Sequence, residues 1–156
     1  MKELKIQPIR NGTVIDHIET GMSLNVLRIL GITGENVNSS ISVVMHVRSK
    51  KEEWKDIVKI EDRELYAKEV DRIALIAPRA TINIIRDYNV AEKRKVKIPE
   101  LVRGIVRCAN PNCITNSNEP AESIFSVHRE RPLTLKCHYC DRVQSRVEEY
   151  LTSSQD

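Results

Sequence analysis

The residues best suited to chemistry are Cys108, Cys113, Cys137 and Cys140. They are all four cysteines of the chain, arranged as a CxxxxC and a CxxC pair 23 residues apart. Two short turns that each offer two thiolates can converge on one tetrahedral Zn²⁺, and a four-cysteine shell leaves no vertex for water or substrate. The spacing therefore predicts a structural zinc rather than a catalytic one. Two disulfides or four unrelated thiols are the rival readings. Disulfides require an oxidising compartment, and nothing in the chain directs it to one. His138 lies inside the CxxC turn, where a neighbouring side chain points away from a metal. His46 and His128 read as exposed or half-buried strand residues.

A second group is looser: Gly12-Thr-Val-Ile-Asp-His-Ile18, with Lys55, Lys59, Asn83, Tyr88 and Lys93. Asp16 and His17 could cap or pair locally, or hydrogen-bond a ribose and meet a phosphate. Lysine phosphate sites have no diagnostic spacing outside the glycine-loop type, so from spacing alone Lys55 and Lys59 read more readily as solvated charges than as nucleotide ligands. There is no phosphate-cradling glycine loop, no HExxH, and no Ser or Cys on a recognisable nucleophile elbow. Catalysis by this chain has no constellation to rest on.

The elements that must position these residues alternate through the first hundred. Leu4 to Ile9 and Thr13 to Ile18 read as strands around the turn at Asn11-Gly12. Ser23 to Leu30 reads as a helix with Leu24, Leu27 and Leu30 at helical spacing, stopped by Gly31. Ile41, Val43, Met45 and Val47 alternate with polar residues, which predicts a half-buried strand, followed by another at about residues 56–60. Tyr66, Val70, Ile73, Ala74 and Ala77 mark one face of a helix ending before Pro78. Thr81 to Asp87 reads as a strand, and the charged run of residues 89–102 as the last strand or its exit. The resulting βαββαβ order predicts an α+β fold, a ferredoxin-like antiparallel sheet with helices on one face.

A boundary is expected near residue 100, giving domains 1–100 and 101–156. The second is too short to bury a self-sufficient core, the situation in which a metal supplies stability on the order of 10 kcal/mol. Short strands are expected at 105–107, 124–128, 133–136 and 142–147, making a small all-β zinc domain, and the tail from Thr152 is expected to fray.

Composition narrows the partners. With 40% apolar and 30% charged residues the chain reads as a soluble globular protein. No apolar signal core follows Met1 and no run approaches membrane-spanning length, so a cytoplasmic location and no membrane partner are expected. Residues 1–100 hold 18 Lys+Arg against 15 Asp+Glu, and residues 101–156 hold 7 against 7. A zinc module that grips nucleic acid should carry surplus positive charge to neutralise phosphates. This one is neutral, which argues against a nucleic-acid partner.

Four stretches taken together, Gly12 to Ile18, Lys55-Asp-Ile-Val-Lys-Ile-Glu61, Ala77-Pro-Arg-Ala-Thr-Ile-Asn83 and the two cysteine pairs, closely resemble the regulatory chain of aspartate carbamoyltransferase. The resemblance runs from about Leu4 to Tyr150. It implies a non-catalytic subunit that binds nucleoside triphosphates in its N-terminal domain, CTP as feedback inhibitor and ATP as activator of pyrimidine synthesis, with UTP a further ligand. It implies a zinc domain docked on a separate catalytic chain, regulatory chains paired as homodimers, and a dodecamer of two catalytic trimers bridged by three regulatory dimers. Carried over by position, Lys93 and His17 meet the triphosphate, while Asp16 and Lys59 bind the ribose. Backbone groups of Ile9 and the Tyr88 side chain read the base edge, and Asn83, Val90 and Lys55 complete the site. Gln7-Pro8 departs from the family pattern of an acidic then a small residue; Pro8 brings no N–H, which bears on base selectivity. Asn110, Asn112 and Asp141 flank the metal turns and are candidates for touching the partner, although the two asparagines equally suit Asx-type turns.

Overall fold

The computed structural model describes residues 8–32, 34–35, 37–50, 53–118 and 121–152. The chain divides into two compact units, Met1–Lys97 and Ile98–Asp156.

The first unit is built on β1 (Gly12–Glu19), α1 (Ser23–Ile29), β2 (Ile41–Arg48), β3 (Trp54–Glu61), α2 (Ala67–Ile76), β4 (Thr81–Arg86) and β5 (Asn89–Lys95). Its sheet has the order β2-β3-β1-β4-β5, and every neighbouring pair is antiparallel. Period-2 alternation sorts the two faces. Ile15, Ile18, Val58, Ile60, Ile82 and Ile84 are buried and, with Val26 and Ile29 of α1, Leu30 at its end, and Ile73, Ala74 and Leu75 of α2, form the core. The helices touch one another and α1 lies on β3. Glu69 caps α2 by accepting the Tyr66 N–H at 3.0 Å. Gly12 starts β1 at φ 144°, and a Cβ there would lie 2.1 Å from the Ile60 carbonyl oxygen, so only glycine fits.

Several local expectations need correction. The buried stripe of α1 is Ser23, Val26 and Ile29, with Leu30 buried just past its end and Leu24 turned outward; two overlapping i, i+3 stripes fit the same apolar run. Met45 is exposed rather than buried, because β2 carries a bulge between Val44 and Val47 that breaks its alternation. Tyr66 stands at the N-cap of α2, exposed, not on its buried face. Of the strand expected at Leu4 to Ile9, residues 4–7 lie outside the described residues, and Pro8 and Ile9 are not in a strand, though Ile9 is buried.

β1 is bulged as well, between Ile15 and Ile18. Both bulges face β3 at the same level, and each contains a histidine at positive φ, His17 at 59° and His46 at 58°. Aspartates hold them. Asp16 Oδ1 accepts the His17 N–H at 2.7 Å. Asp56, fully buried in β3, accepts the N–H groups of His46 (2.9 Å), Gly21 (3.0 Å) and Ser23 (3.3 Å). One carboxylate thereby ties the β2 bulge to the turn between β1 and α1.

The second unit is a four-stranded antiparallel sheet, β6 (Leu101–Arg103), β7 (Ile124–Glu130), β8 (Leu133–Cys137) and β9 (Val143–Gln144), in sequence order. Val102, Val106, Phe125, Leu135 and Val147 form a small core. Residues 105–107 contribute only a bridge, Val106 to Leu151, instead of a strand. The expected strand over 142–147 is two residues long and gives way to a 3₁₀ turn at Val147–Glu149. Thr152 does not fray: its hydroxyl donates to the carbonyls of Gly104 and Ile105 at 3.0 Å each, while residues 153–156 lie outside the described residues.

Candidate metal centre and nucleotide-sensing face

The CxxxxC turn follows Arg107, and the CxxC turn leaves the end of β8. Their four Sγ atoms lie within 4.8 Å of one another. Cys108 to Cys140 and Cys113 to Cys137 are each 3.7 Å apart, sulfur to sulfur. Ligation at about 2.3 Å per metal–sulfur bond gives tetrahedron edges of about 3.8 Å. Those two separations match such edges and lie far beyond the ~2.05 Å of a disulfide. The donor set fits a metal ion, and these four residues would hold it.

The thiols do not behave alike without a cation. Burial pushes Cys108 up to about 12 and raises Cys137, whereas the backbone N–H of Arg142 holds Cys140 at about 7. Burial opposes ionisation of Cys113 as well, yet the Thr115 hydroxyl and backbone N–H prevail and its pKa is lowered. That hydroxyl donates to Cys113 Sγ at 3.2 Å. Four adjacent thiolates repel one another in a buried site, and a divalent cation removes that conflict. His46, His128 and His138 are all exposed, and none belongs to the cluster.

The face of the first sheet opposite the buried isoleucines carries the looser group. Cross-strand pairing sets Lys59 beside Val14, Val14 beside Asn83, and Asn83 beside Lys93, one rung across β3, β1, β4 and β5. A cavity of about 460 Å³, a size suited to small ligands, opens on this face between the two bulges. Val14, Val44, Val47 and Ile57 give it apolar walls; Asp16, Arg48, Lys55 and Lys59 line it with charge. Lys55 Nζ pairs with Asp16 Oδ1 at 3.0 Å, both largely buried. Burial holds Lys59 below the ordinary lysine pKa. His17 reaches Thr81 Oγ1 at 3.2 Å through Nδ1 and leaves part of its ring exposed.

Tyr88, Val90 and Ile9 gather at the other end. Asp87 and Tyr88 form a two-residue hairpin turn, both at positive φ, and Tyr88 N–H donates to the Arg10 carbonyl at 2.9 Å. That bond brings the exposed Tyr88 beside the backbone that follows Ile9. Val90 pairs with Ile85 and is exposed. Asp16, Lys55 and Lys59 thus share the cavity, Asn83 and Lys93 extend its rung, and Ile9, Tyr88 and Val90 cluster at the β4–β5 turn. Arg48, Val44 and Val47 were not anticipated, because the β2 bulge that brings this wall to the cavity has no signature in residue type.

Residues 4–97 match the family model of the aspartate carbamoyltransferase regulatory chain, allosteric domain, and residues 100–149 that of its metal binding domain. The chain belongs to this regulatory-chain family. It is similar to the aspartate carbamoyltransferase regulatory chains of Methanothrix thermoacetophila, 55% identical over 96% of this chain and 97% of that one, and of Methanothermobacter thermautotrophicus, 57% identical over 90% and 89%. That of Thermofilum pendens is 56% identical over 93% and 91%. The chain is accordingly a regulatory, non-catalytic one, with an allosteric domain followed by a metal-binding domain. Among the described residues no helix is long and apolar enough to cross a membrane.

Proposed function

We propose that the first unit senses nucleoside triphosphates and that the second, folded around zinc, docks on the catalytic chain of aspartate carbamoyltransferase. The observation that carries this reading is the cationic cavity between the two bulges, in the unit that matches an allosteric domain. CTP acts as inhibitor and ATP as activator, with UTP a further ligand. From Lys59 to Lys93 the rung crosses three strand spacings, roughly 14 Å, a span suited to a ribose at one end and a terminal phosphate at the other. Lys93 and His17 meet the phosphates, Asp16 and Lys59 the ribose. The backbone after Ile9 and the Tyr88 ring meet the base, while Asn83, Val90 and Lys55 complete the site.

The architecture we assign to the first domain is ferredoxin-like. Supporting it are the order β2-β3-β1-β4 and the helices between β1 and β2 and between β3 and β4, with β5 added as a hairpin partner. Zinc is the occupant we assign to the four thiolates, which suit it and leave no vertex open for catalysis. Asn110 Oδ1 accepts the Asn112 N–H at 3.0 Å, so Asn110 serves the turn. Asn112 and Asp141, both exposed, are the better candidates for touching the partner. Regulatory dimers paired through their first domains bridge two catalytic trimers, in the cytoplasm. Nucleotide affinity that differs between two quaternary states supplies the coupling, typically ~1–3 kcal/mol.

Calorimetric titration of CTP and ATP into the zinc-loaded chain tests the sensing role. Saturable binding that Lys93→Ala weakens while assembly with the catalytic chain survives is expected. Cys113→Ala should abolish that assembly. Reversed phenotypes would overturn the division of labour.

A further inference from the structure

Both cysteine turns carry backbone hydrogen bonds, and the first is clamped by side chains as well. The CxxC turn is fixed by its own backbone: Cys137 N–H donates to Arg142 O and Asp141 N–H to Cys137 O, each at 3.0 Å. Tyr139 N–H also donates to Cys137 Sγ at 3.4 Å. The first turn is two residues wider, and within its span the Cys113 N–H donates to Asn110 O at 3.1 Å. Two carboxamide side chains supply further restraint. Gln144 of β9, buried, accepts the Ala109 N–H at 2.9 Å and donates to Arg107 O at 3.0 Å, clipping the residues on both sides of Cys108. Asn116, in the 3₁₀ turn Ile114–Asn116, donates to Cys108 O at 3.0 Å and to Asn110 O at 2.7 Å. Because Gln144 pairs with Leu135 on β8, the strand that ends in Cys137, it also ties the first turn to the second.

We propose that Gln144 and Asn116 are positioning residues for the metal, holding Cys108 at its vertex and so setting how long the ion is retained. The idea rests on the four sulfurs binding a metal, as proposed above. A ligand whose backbone is loosened gives up its metal–sulfur bond more often, and water then enters the open vertex. Loss of a group that orients a metal ligand typically lowers affinity about 10–100-fold. Neither residue has a signature in sequence, since a bridging carboxamide has no fixed spacing to the group it clamps.

The test uses the full-length chain loaded with Zn²⁺ and, separately, with Co²⁺. Gln144→Leu and Asn116→Ala should each release zinc to excess chromophoric chelator about 10–100-fold faster than the parent chain. Their cobalt forms should show a weakened thiolate-to-cobalt charge-transfer band as one sulfur yields to water. Val102→Ala, a core change at the opposite edge of the same sheet, should lower the denaturation midpoint and leave the cobalt spectrum unchanged. Parent-like release and spectra in both carboxamide variants would overturn the proposal. So would a Val102→Ala chain that reproduces both effects. If Gln144→Leu does not fold, Asn116→Ala, at an exposed side chain, decides alone. A parent chain that binds neither ion would defeat the metal reading and the clamp together, an outcome distinct from a failed clamp on a loaded site.

Discussion

Asp56→Ala is the most informative single substitution in the first unit. The carboxylate is fully buried and takes three backbone N–H groups from two segments of chain. Hydrogen bonds to a charged group contribute about 1.5–3 kcal/mol each, and a buried donor left unpaired costs about 1–3 kcal/mol. Gly21 and His46 are exposed and regain water, whereas Ser23 is buried and its N–H is stranded. The expected loss is therefore about 3–5 kcal/mol, less than the full sum of three bonds. Asp56→Asn should lose slightly less, because its amide keeps one acceptor and turns an N–H₂ toward the other donors. With a urea slope of about 1.5 kcal/mol per molar, the midpoint should fall by about 2–3 M. Trp54 is the only tryptophan and lies in this unit, so its emission follows the first unit alone. It stacks on His46 with ring centroids 4.0 Å apart, which makes it sensitive to the bulge that Asp56 holds. A midpoint shift under about 0.5 M would refute the reasoning, since it would mean the three bonds contribute almost nothing net.

Gly12→Ala should destabilise the first unit by several times the ~1 kcal/mol of a typical point substitution or prevent folding, because the added Cβ meets the Ile60 carbonyl; denaturation followed by Trp54 emission measures it. Lys59 has a folded-state pKa below its unfolded value, so its charged form opposes folding at lower pH and that penalty is relieved as pH rises through the folded pKa. Nucleotide binding should run the other way: affinity, measured by calorimetry, should decline as pH rises through Lys59's lowered pKa, because the neutral amine holds the ribose hydroxyls more weakly than the charged one, and Lys59→Arg should move the decline upward. Removing the metal with a chelator should abolish the structure of residues 98–156 while Trp54 emission stays unchanged, since metal binding to such modules contributes on the order of 10 kcal/mol to folding. Circular dichroism read against the fluorescence separates the two units.

The cysteine cluster was legible because ligand geometry dictates spacing, and the two pairs do converge. Both helices and the strands β1 to β4, β7 and β8 were legible from apolar period, whereas β6 was not, and residues 105–107 read as a strand form only a bridge. The bulges were not. Each inserts one residue without a glycine or proline to announce it, and each has a histidine at positive φ whose N–H an aspartate accepts. An alternation read straight through β2 therefore buries Met45 and misses the cavity wall of Val44 and Val47. Asp56 went unremarked for a similar reason: in Lys55-Asp-Ile-Val-Lys59 it reads as one more surface charge. Its burial follows from strand parity, which places it on the face of Val58 and Ile60. The stripe on α1 was misassigned because seven residues are too few for 3.6-residue periodicity to choose between adjacent faces.

The paired bulges also constrain how this chain can change length over evolutionary time. Deleting His46 would restore simple alternation and swing Val47, which shares the cavity face with Val44, to the reverse side of the sheet, taking a wall away from the cavity. Deleting His17 would do the same to Ile18, which belongs to the core. Gains and losses of single residues within these strands are thus selected against. Chain-length drift in this part of the fold should collect outside β1 and β2.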